Sequence, residues 1–452
     1  MRFIRRNKRD GETLERREAA TERFGWGWRV IYILFGLSAV VYLIAVLNQD
    51  FADFVCEKVG AVVRYALAIP TNILPFSLGE VLLIALIPLL VAAVVYAYRN
   101  CCSSWKSVWI FAGKIMSVAL VILILFVWTL GAGYHGTTLD RRLGLDKKEV
   151  SEDELYELSV VLTEQVNRLT SEISYAEDGF SEMPYSLDEM NGLLLDAYDK
   201  LSESYDFLPR MYSRVKPVML SELMSYTHIT GVYSFFTGEA NLNVAFPDYT
   251  LPYTAAHELA HQRGVAREDE ANFVAFLACM SSDDIYIQYS GYLNMLEYVT
   301  NAYARAVNAN RCYDFATFRL LAEKYGEVAS LMAAYEAENG EMKSYTDLLS
   351  ALERSEELKN AVDGNVELSE ALGFYLHRAE SVERYNAVRL SLDGNVRDEQ
   401  KAYDKFFEKY RYNIAATISG AVNDTYLQMQ GTAGTASYGM VVDLAVAYYK
   451  NG

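Results

Sequence analysis

The placing of apolar and polar positions divides the chain before any motif is considered. Three long apolar runs fall within the first 131 residues, and the remainder alternates apolar with polar positions as water-exposed helices and strands do. The first run, about 28–47, has no charge beyond Arg29 at its edge. At ~1.5 Å per residue it is long enough to cross a ~30 Å hydrocarbon core. The second, about 81–98, holds Pro88, which a membrane helix tolerates. The third, about 108–131, carries Lys114 close enough to one end to snorkel. Trp26, Trp28, Tyr96, Tyr98, Trp105 and Trp109 gather at the run ends, as an interfacial aromatic belt does. The first run is too long for the core of a signal peptide, and no small-residue cleavage site follows it, so it reads as an anchor. Between the first two runs, 51–69 has an amphipathic pattern and is expected to lie on the membrane surface.

Past residue 131 the period changes. Positions 147–174 predict an amphipathic helix rich in Glu and Leu, and Ser186 with Glu189 forms a capping box that opens another, to about Tyr205. Positions 231–237 are aromatic and β-branched, and 239–246 alternate like a strand, with Gly238 suited to a hairpin turn between them. From Thr254 onward the periodicity is helical, with breaks near Gly264, 281–284, Gly340, Gly364 and Gly394.

Charge adds direction to this picture. The formal net charge is −18, spread unevenly: residues 1–131 hold 14 Lys/Arg against 9 Asp/Glu, and 132–452 hold 27 against 50. An acidic soluble part argues against a nucleic-acid partner, which needs a basic face. Nine basic residues precede or begin the first run, and the loop after the second run is basic, with Arg99 and Lys106. The loop after the first run has only Lys58 and Arg64 against four acids. The positive-inside rule then predicts a cytoplasmic basic tail (1–27), a membrane region (28–131) and an extracytoplasmic domain (132–452). Five cysteines are too few for a disulfide framework; a Cys279–Cys312 bridge is the one pairing considered.

Chemistry enters at 254–264, where Thr254, a possible helix cap, leads into His257, Glu258 and His261 as an HExxH motif. Residues four apart on a helix stack one turn above another, so both imidazoles can bind one zinc at ~2.0–2.1 Å. Glu258 can reach a water at the metal without binding the metal itself, and is the expected general base. With only five His in the chain, a chance HExxH is improbable. A catalytic zinc wants a third protein ligand. Gly264 can end the helix with a left-handed turn, and a second helix follows with Glu268, Glu270 and Asn272. Glu268 and Asn272 share a face, which makes Glu268 the favoured ligand and Asn272 a hydrogen-bonding support for a ligand histidine; Glu270 is the alternative ligand. Asn241 and Asn243, on what reads as an exposed strand, are candidates for binding an extended substrate. His228, Tyr426 and Tyr438 are candidate oxyanion donors. His135 and His377 are read as structural or exposed.

HExxH followed by Glu268 and Asn272 resembles the gluzincin pattern, and the string from Glu268 to Asn272 is similar to that of CAAX-prenyl-type membrane proteases. Only six residues separate His261 from Glu268, nearer the metzincin distance, where Arg267 would occupy the third-histidine position. Over its whole length the chain resembles a bacterial membrane family, domain of unknown function 3810, with three N-terminal membrane segments and then an ectodomain bearing the same two strings. The expected fold is therefore a membrane α-helical region of three transmembrane helices, followed by a mainly α, zincin-like soluble domain with a small β element. The expected function is that of a zinc metallopeptidase in the bacterial cytoplasmic membrane, acting on proteins or peptides at its outer face. The alternatives are a membrane sensor-transducer with a zincin-like domain, and a zinc amidase or carboxypeptidase acting on cell-wall peptides.

Overall fold

In the computed structural model, residues 25–100 and 105–451 are described; the basic tail before them, and Cys101 and Cys102, lie outside the described residues. Three helices are long and apolar enough to cross a membrane: α1 (Trp26–Leu47), α4 (Leu78–Asn100) and α5 (Trp105–Thr129). Their side chains are mostly exposed, Leu37 at 58% and Leu83 at 62%, as lipid-facing residues must be when no other protein covers them. The first two expected runs thus form helices two or three residues longer at one or both ends, and the third starts three residues earlier than expected and ends two residues earlier, at Thr129. Between α1 and α4 the amphipathic stretch is helical throughout: α2 (Gln49–Phe54), a π-helical turn (Val55–Gly60) and α3 (Ala61–Asn72).

After α5 come α6 (Leu139–Leu143), α7 (Glu152–Thr170) and α8 (Leu187–Ser204), the last opened by the Ser186–Glu189 capping box. A three-stranded sheet follows, built from β1 (Lys216–Pro217), β2 (Gly231–Ser234) and β3 (Glu239–Leu242), with the short α9 (Ser221–Ser225) between β1 and β2. Strands β2 and β3 form the expected hairpin. Gly238 turns it at φ +74°, and a Cβ there would sit 2.8 Å from the Leu67 side chain. The order is β1-β3-β2, with β3 parallel to β1 and antiparallel to β2. This corrects the reading of Asn241 and Asn243 as substrate-facing. β3 is the central strand, and both side chains are buried and bonded inward, Asn241 to the Val232 carbonyl and Asn243 to Ser225 Oγ and the Ile229 carbonyl. Sequence alternation did not show β3's second neighbour, because β1 is only two residues long.

Two buried helices carry the motif, α10 (Leu251–Gln262) and α11 (Glu268–Ser281), followed by α12 (Ile285–Ala309). α10 begins at Leu251 with Pro252 in its first turn, so Thr254 lies inside the helix and is not its cap. Then come α13 (Phe315–Glu323), α14 (Gly326–Asn339), α15 (Tyr345–Arg354), α16 (Glu356–Asp363) and α17 (Val366–Ser391). The chain ends with α18 (Gly394–Glu408), α19 (Ile414–Met429) and α20 (Val441–Asn451).

The chain forms two compact units. One comprises 1–149, 165–295 and 393–452; the other comprises 150–164 and 296–392. The second is a bundle of α13 to α17 whose core holds Phe318, Leu348, Leu358, Val362 and Leu368. The first holds the three apolar helices, the sheet, α10 and α11. Cys279 and Cys312 are free thiols, so the considered bridge is absent; Cys279 is fully buried, and Cys312 Sγ lies 3.4 Å from the carbonyl of Tyr313.

Charged groups tie the sheet and α10 to the ends of the apolar helices. The Glu239 carboxylate accepts from Leu78 N (2.9 Å) and Gly79 N (2.8 Å), satisfying the first amides of α4, and is paired with Lys216 at 2.7 Å. Glu80, in the same helix turn, accepts from Met219 N and Leu220 N. Arg64 on α3 is fully buried and donates to the Thr129 carbonyl (2.7 Å), at the end of α5, and to the Arg263 carbonyl (3.2 Å), which caps α10. One guanidinium thus serves two helix C-termini, where orphan carbonyls and the helix dipoles favour a cation.

Candidate metal centre

Every residue of α10 is buried, which places a polar stripe of His257, Glu258 and His261 inside the protein. Gly264, at φ +102°, ends the helix in the left-handed turn expected of it, and Val265 N returns to the Ala260 carbonyl. That turn brings the Val265 carbonyl to 2.7 Å from His261 Nδ1, which orients the ring with Nε2 inward. It also redirects the chain so that α11 starts with Glu268 in its first turn, facing the two imidazoles.

His257, His261 and Glu268 converge. The two Nε2 atoms are 3.0 Å apart, and Glu268 Oε2 lies 3.2 Å from the first and 3.3 Å from the second. A tetrahedral ion with ligands at ~2.0–2.1 Å has ligand–ligand edges of about 3.3 Å, so this triangle has the dimensions of one face of such a site. The donor set, two imidazoles and one carboxylate, is the chemistry zinc takes. Glu268 Oε2 is buried without an aligned hydrogen bond despite its closeness to both nitrogens, as a carboxylate oxygen able to take a cation would be. Burial by itself would raise Glu268, but the two histidines overcome it and hold the carboxyl well below its ordinary range. For His261, burial lowers the basicity and the Glu268 and Glu258 charges more than restore it, to about 9.

Glu270 is two residues further on and turns away from the triangle. Its Oε1 accepts from Leu139 N (2.9 Å) and Arg267 Nη1 (3.0 Å), so it pins the start of α6 to α11. Asn272 is engaged elsewhere than expected. Its amide donates to the Tyr438 carbonyl at 3.2 Å, while Val265 supplies the support on His261, and His257 Nδ1 has no hydrogen-bond partner. The reason is tertiary: the segment around Tyr438 (Gly434–Met440) packs over α11 and takes that amide.

Glu258 is 4% exposed and lies against β2. Tyr233 N donates to its carboxylate, and a Cβ on Gly231 would fall 2.6 Å from its Oε1, so only glycine leaves room. Burial pushes this carboxyl up to about 7, the two histidines pulling against it. Of the oxyanion candidates, the Tyr438 ring lies near-parallel to that of His257, with centroids 6.5 Å apart. Tyr426 Oη is 3.2 Å from Tyr134 Oη, and both phenols feel the Glu268 charge. His228 is occupied differently, with Nε2 at 2.6 Å from the Tyr410 carbonyl.

Sequence reasoning gave no role to Gly231, Tyr233, Tyr134 or Gln262. Gln262, directly after the motif, is fully buried and donates to the Gly238 carbonyl (2.7 Å) and Ser213 Oγ (2.9 Å), locking α10 to the hairpin turn. A glycine opening a short aromatic strand before an HExxH helix is the one signal that pointed to any of them. No curated protein and no solved structure matches the chain. Residues 56–351 and 365–446, which include the whole triangle, Glu258 and the sheet, match the family described as protein of unknown function DUF3810, and the chain belongs to that family.

Proposed function

We propose that this chain is a membrane-anchored, zinc-dependent metallopeptidase with a zincin-like arrangement of its site, acting on proteins or peptides at the outer face of the bacterial cytoplasmic membrane. The observation that carries the reading is the buried triangle of His257, His261 and Glu268 with a fourth polar group, Glu258, beside it and outside it. Bound zinc would supply Lewis acidity, polarising a carbonyl and making water acidic enough to lose a proton near neutral pH. Glu258 is the group to take that proton and to return it to the leaving amine, and a carboxyl lifted by burial toward neutrality suits both steps. Tyr233 N fixes the carboxylate's orientation, and Gly231 gives it space. Tyr438, whose ring lies beside that of His257, and Tyr426 are the candidates to steady negative charge on a substrate oxygen.

The strand that suits an extended substrate is β2, an edge strand. The Asn243 N to Thr230 carbonyl bond sets the hairpin register, so the backbone groups of Gly231 and Tyr233 point away from β3, toward Glu258. A peptide adding to that edge would pass the base and the metal face together. The basic tail and loop, read with the positive-inside rule, support placing the site outside the cytoplasm.

The test uses the full chain purified in detergent, because the apolar helices and the site belong to one compact unit. About one zinc per chain and cleavage of members of a diverse peptide library, abolished by Glu258→Gln, are expected. Stoichiometric zinc in the His257→Ala/His261→Ala double variant would sink the reading. Cleavage restricted to cell-wall peptides would favour the amidase alternative.

A further inference from the structure

Helix α19 packs through a narrow strip and leaves the rest of its surface uncovered. Leu427 is buried, and Ala416, Ser419, Asn423 and Tyr426 are partly covered. On the other side Ile414, Ile418, Val422 and Met429 are 80, 59, 64 and 77% exposed. These four recur at helical spacing as a stripe along one face, with Thr425 the polar residue between Val422 and Met429. Asp424 is the only charged residue of the helix. In water such a stripe would leave four large side chains hydrated and invite association.

The end of the helix shows what covers it. Tyr42 on α1 donates to Gln430 Oε1 at 3.1 Å, and the Phe126 ring on α5 lies 6.1 Å from that of Tyr426. Tyr42 is five residues short of the end of α1, or ~7 Å along its axis, and Phe126 is three residues short of the end of α5, or ~4–5 Å. The last turn of α19 therefore lies beside the final turns of two helices long and apolar enough to cross a membrane. Two other elements on the same side carry the apolar surface further. Phe54, Val62, Tyr65, Ile69 and Ile73 are exposed along the α2–α3 segment, and Met219, Leu220 and Leu223 are exposed around α9, which Glu80 holds to the start of α4.

We infer that α19 is a membrane-surface helix, its Ile414, Ile418, Val422 and Met429 side chains seated in the lipid leaflet on the side of the soluble region. Lipid is the occupant because the last turn of α19 is held to α1 and α5 close to the ends of these two apolar helices, while the stripe itself is exposed. With one acid and no Lys or Arg, the helix is held by apolar burial and not by anionic headgroups.

The experiment reconstitutes the full chain in phosphatidylcholine vesicles, with Cys101, Cys102 and Cys312 replaced by serine and the buried Cys56 and Cys279 kept. A single cysteine at Ile418 or Val422 carries an environment-sensitive fluorophore. Leu123→Cys on α5 serves as the lipid-facing reference and Lys401→Cys, whose side chain is 74% exposed, as the aqueous one. Nitroxide-bearing phosphatidylcholine should quench labels at 418 and 422 severalfold more than at 401 and comparably to 123, while iodide in the buffer should reach only 401. Adding anionic lipid should leave this pattern unchanged. Iodide quenching at 418 and 422 equal to that at 401 would overturn the assignment. So would shielding from both quenchers together with disulfide formation between copies at Ile418→Cys, which would make a second chain the occupant.

Discussion

Glu268 and Glu270 are two residues apart and take opposite roles, because two steps along a helix turn a side chain by about 200°. Glu268 meets the imidazoles of α10, and Glu270 meets Arg267 and Leu139 N. Glu268→Gln is accordingly expected to lose zinc, since a neutral amide replaces the carboxylate. Glu270→Gln should retain about one zinc per chain. Metal analysis of the two purified variants decides it, and the reverse pattern would refute the assignment. Glu258→Gln should keep zinc while peptide turnover falls ~10²–10⁴-fold, the usual range for a lost general base. Gly231→Ala probes the same group from the other side. A methyl 2.6 Å from Glu258 Oε1 must displace the carboxylate, and a shift of that size is worth about a hundredfold in rate, again with zinc retained. Unchanged turnover in Gly231→Ala would separate β2 from the chemistry. The convergence of His257 and His261 was legible from helical spacing, because it depends on one turn of helix; Glu268 was favoured over Glu270 for sharing a face with Asn272, and it meets the imidazoles although Asn272 is engaged elsewhere. The partner of Asn272 was not legible, since Tyr438 lies 166 residues further along the chain and is brought there by the fold.

The elements around the site are joined by groups whose sequence context is unremarkable. The hairpin was readable because Gly238 adopts φ +74° between two strand-like stretches, a local requirement. The central place of β3 was not, because its second neighbour is a two-residue strand that precedes α9. Arg64 is the extreme case. In the linear chain it is one of two basic residues in a loop, and it counted only toward membrane orientation. In the fold it is fully buried and donates to the carbonyls of Thr129, Cys56 and Arg263. Arg64→Met leaves those carbonyls buried without their donor, and each lost hydrogen bond to a charged group costs ~1.5–3 kcal/mol. A loss of at least about 3 kcal/mol is expected, read as a lowered unfolding midpoint in detergent. Arg64→Lys should recover only part of it, since one ammonium cannot reproduce the planar fork. An unchanged midpoint in Arg64→Met would show that the caps are dispensable.

For the molecule as a whole, hydropathy and packing draw different boundaries. The apolar runs end near residue 131, yet the compact unit that contains them also contains α10, α11 and the sheet, while 150–164 and 296–392 form a unit of their own. Hydropathy reports where the membrane-crossing runs end. It does not report that Glu239, Glu80 and Arg64 bind the sheet and the motif helix to the membrane helices, because those bonds are polar and join distant residues. Their consequence is a His257–His261–Glu268 triangle held in the same compact unit as the apolar helices, which makes the side of the membrane decisive for the proposed substrates. The basic residues of the tail and of the loop bearing Arg99 and Lys106 predict that the loop is cytoplasmic and the soluble region is not. The native Cys101 and Cys102 in that loop make this testable in intact cells. A membrane-impermeant maleimide should label Lys401→Cys from outside without permeabilisation. With Cys312 replaced by serine, it should reach Cys101 and Cys102 only after the membrane is opened, while Cys56 and Cys279, both buried, stay unlabelled in the native state. Labelling of Cys101 and Cys102 in intact cells, with Lys401→Cys protected, would invert the chain in the membrane and move the proposed substrates to the cytoplasm.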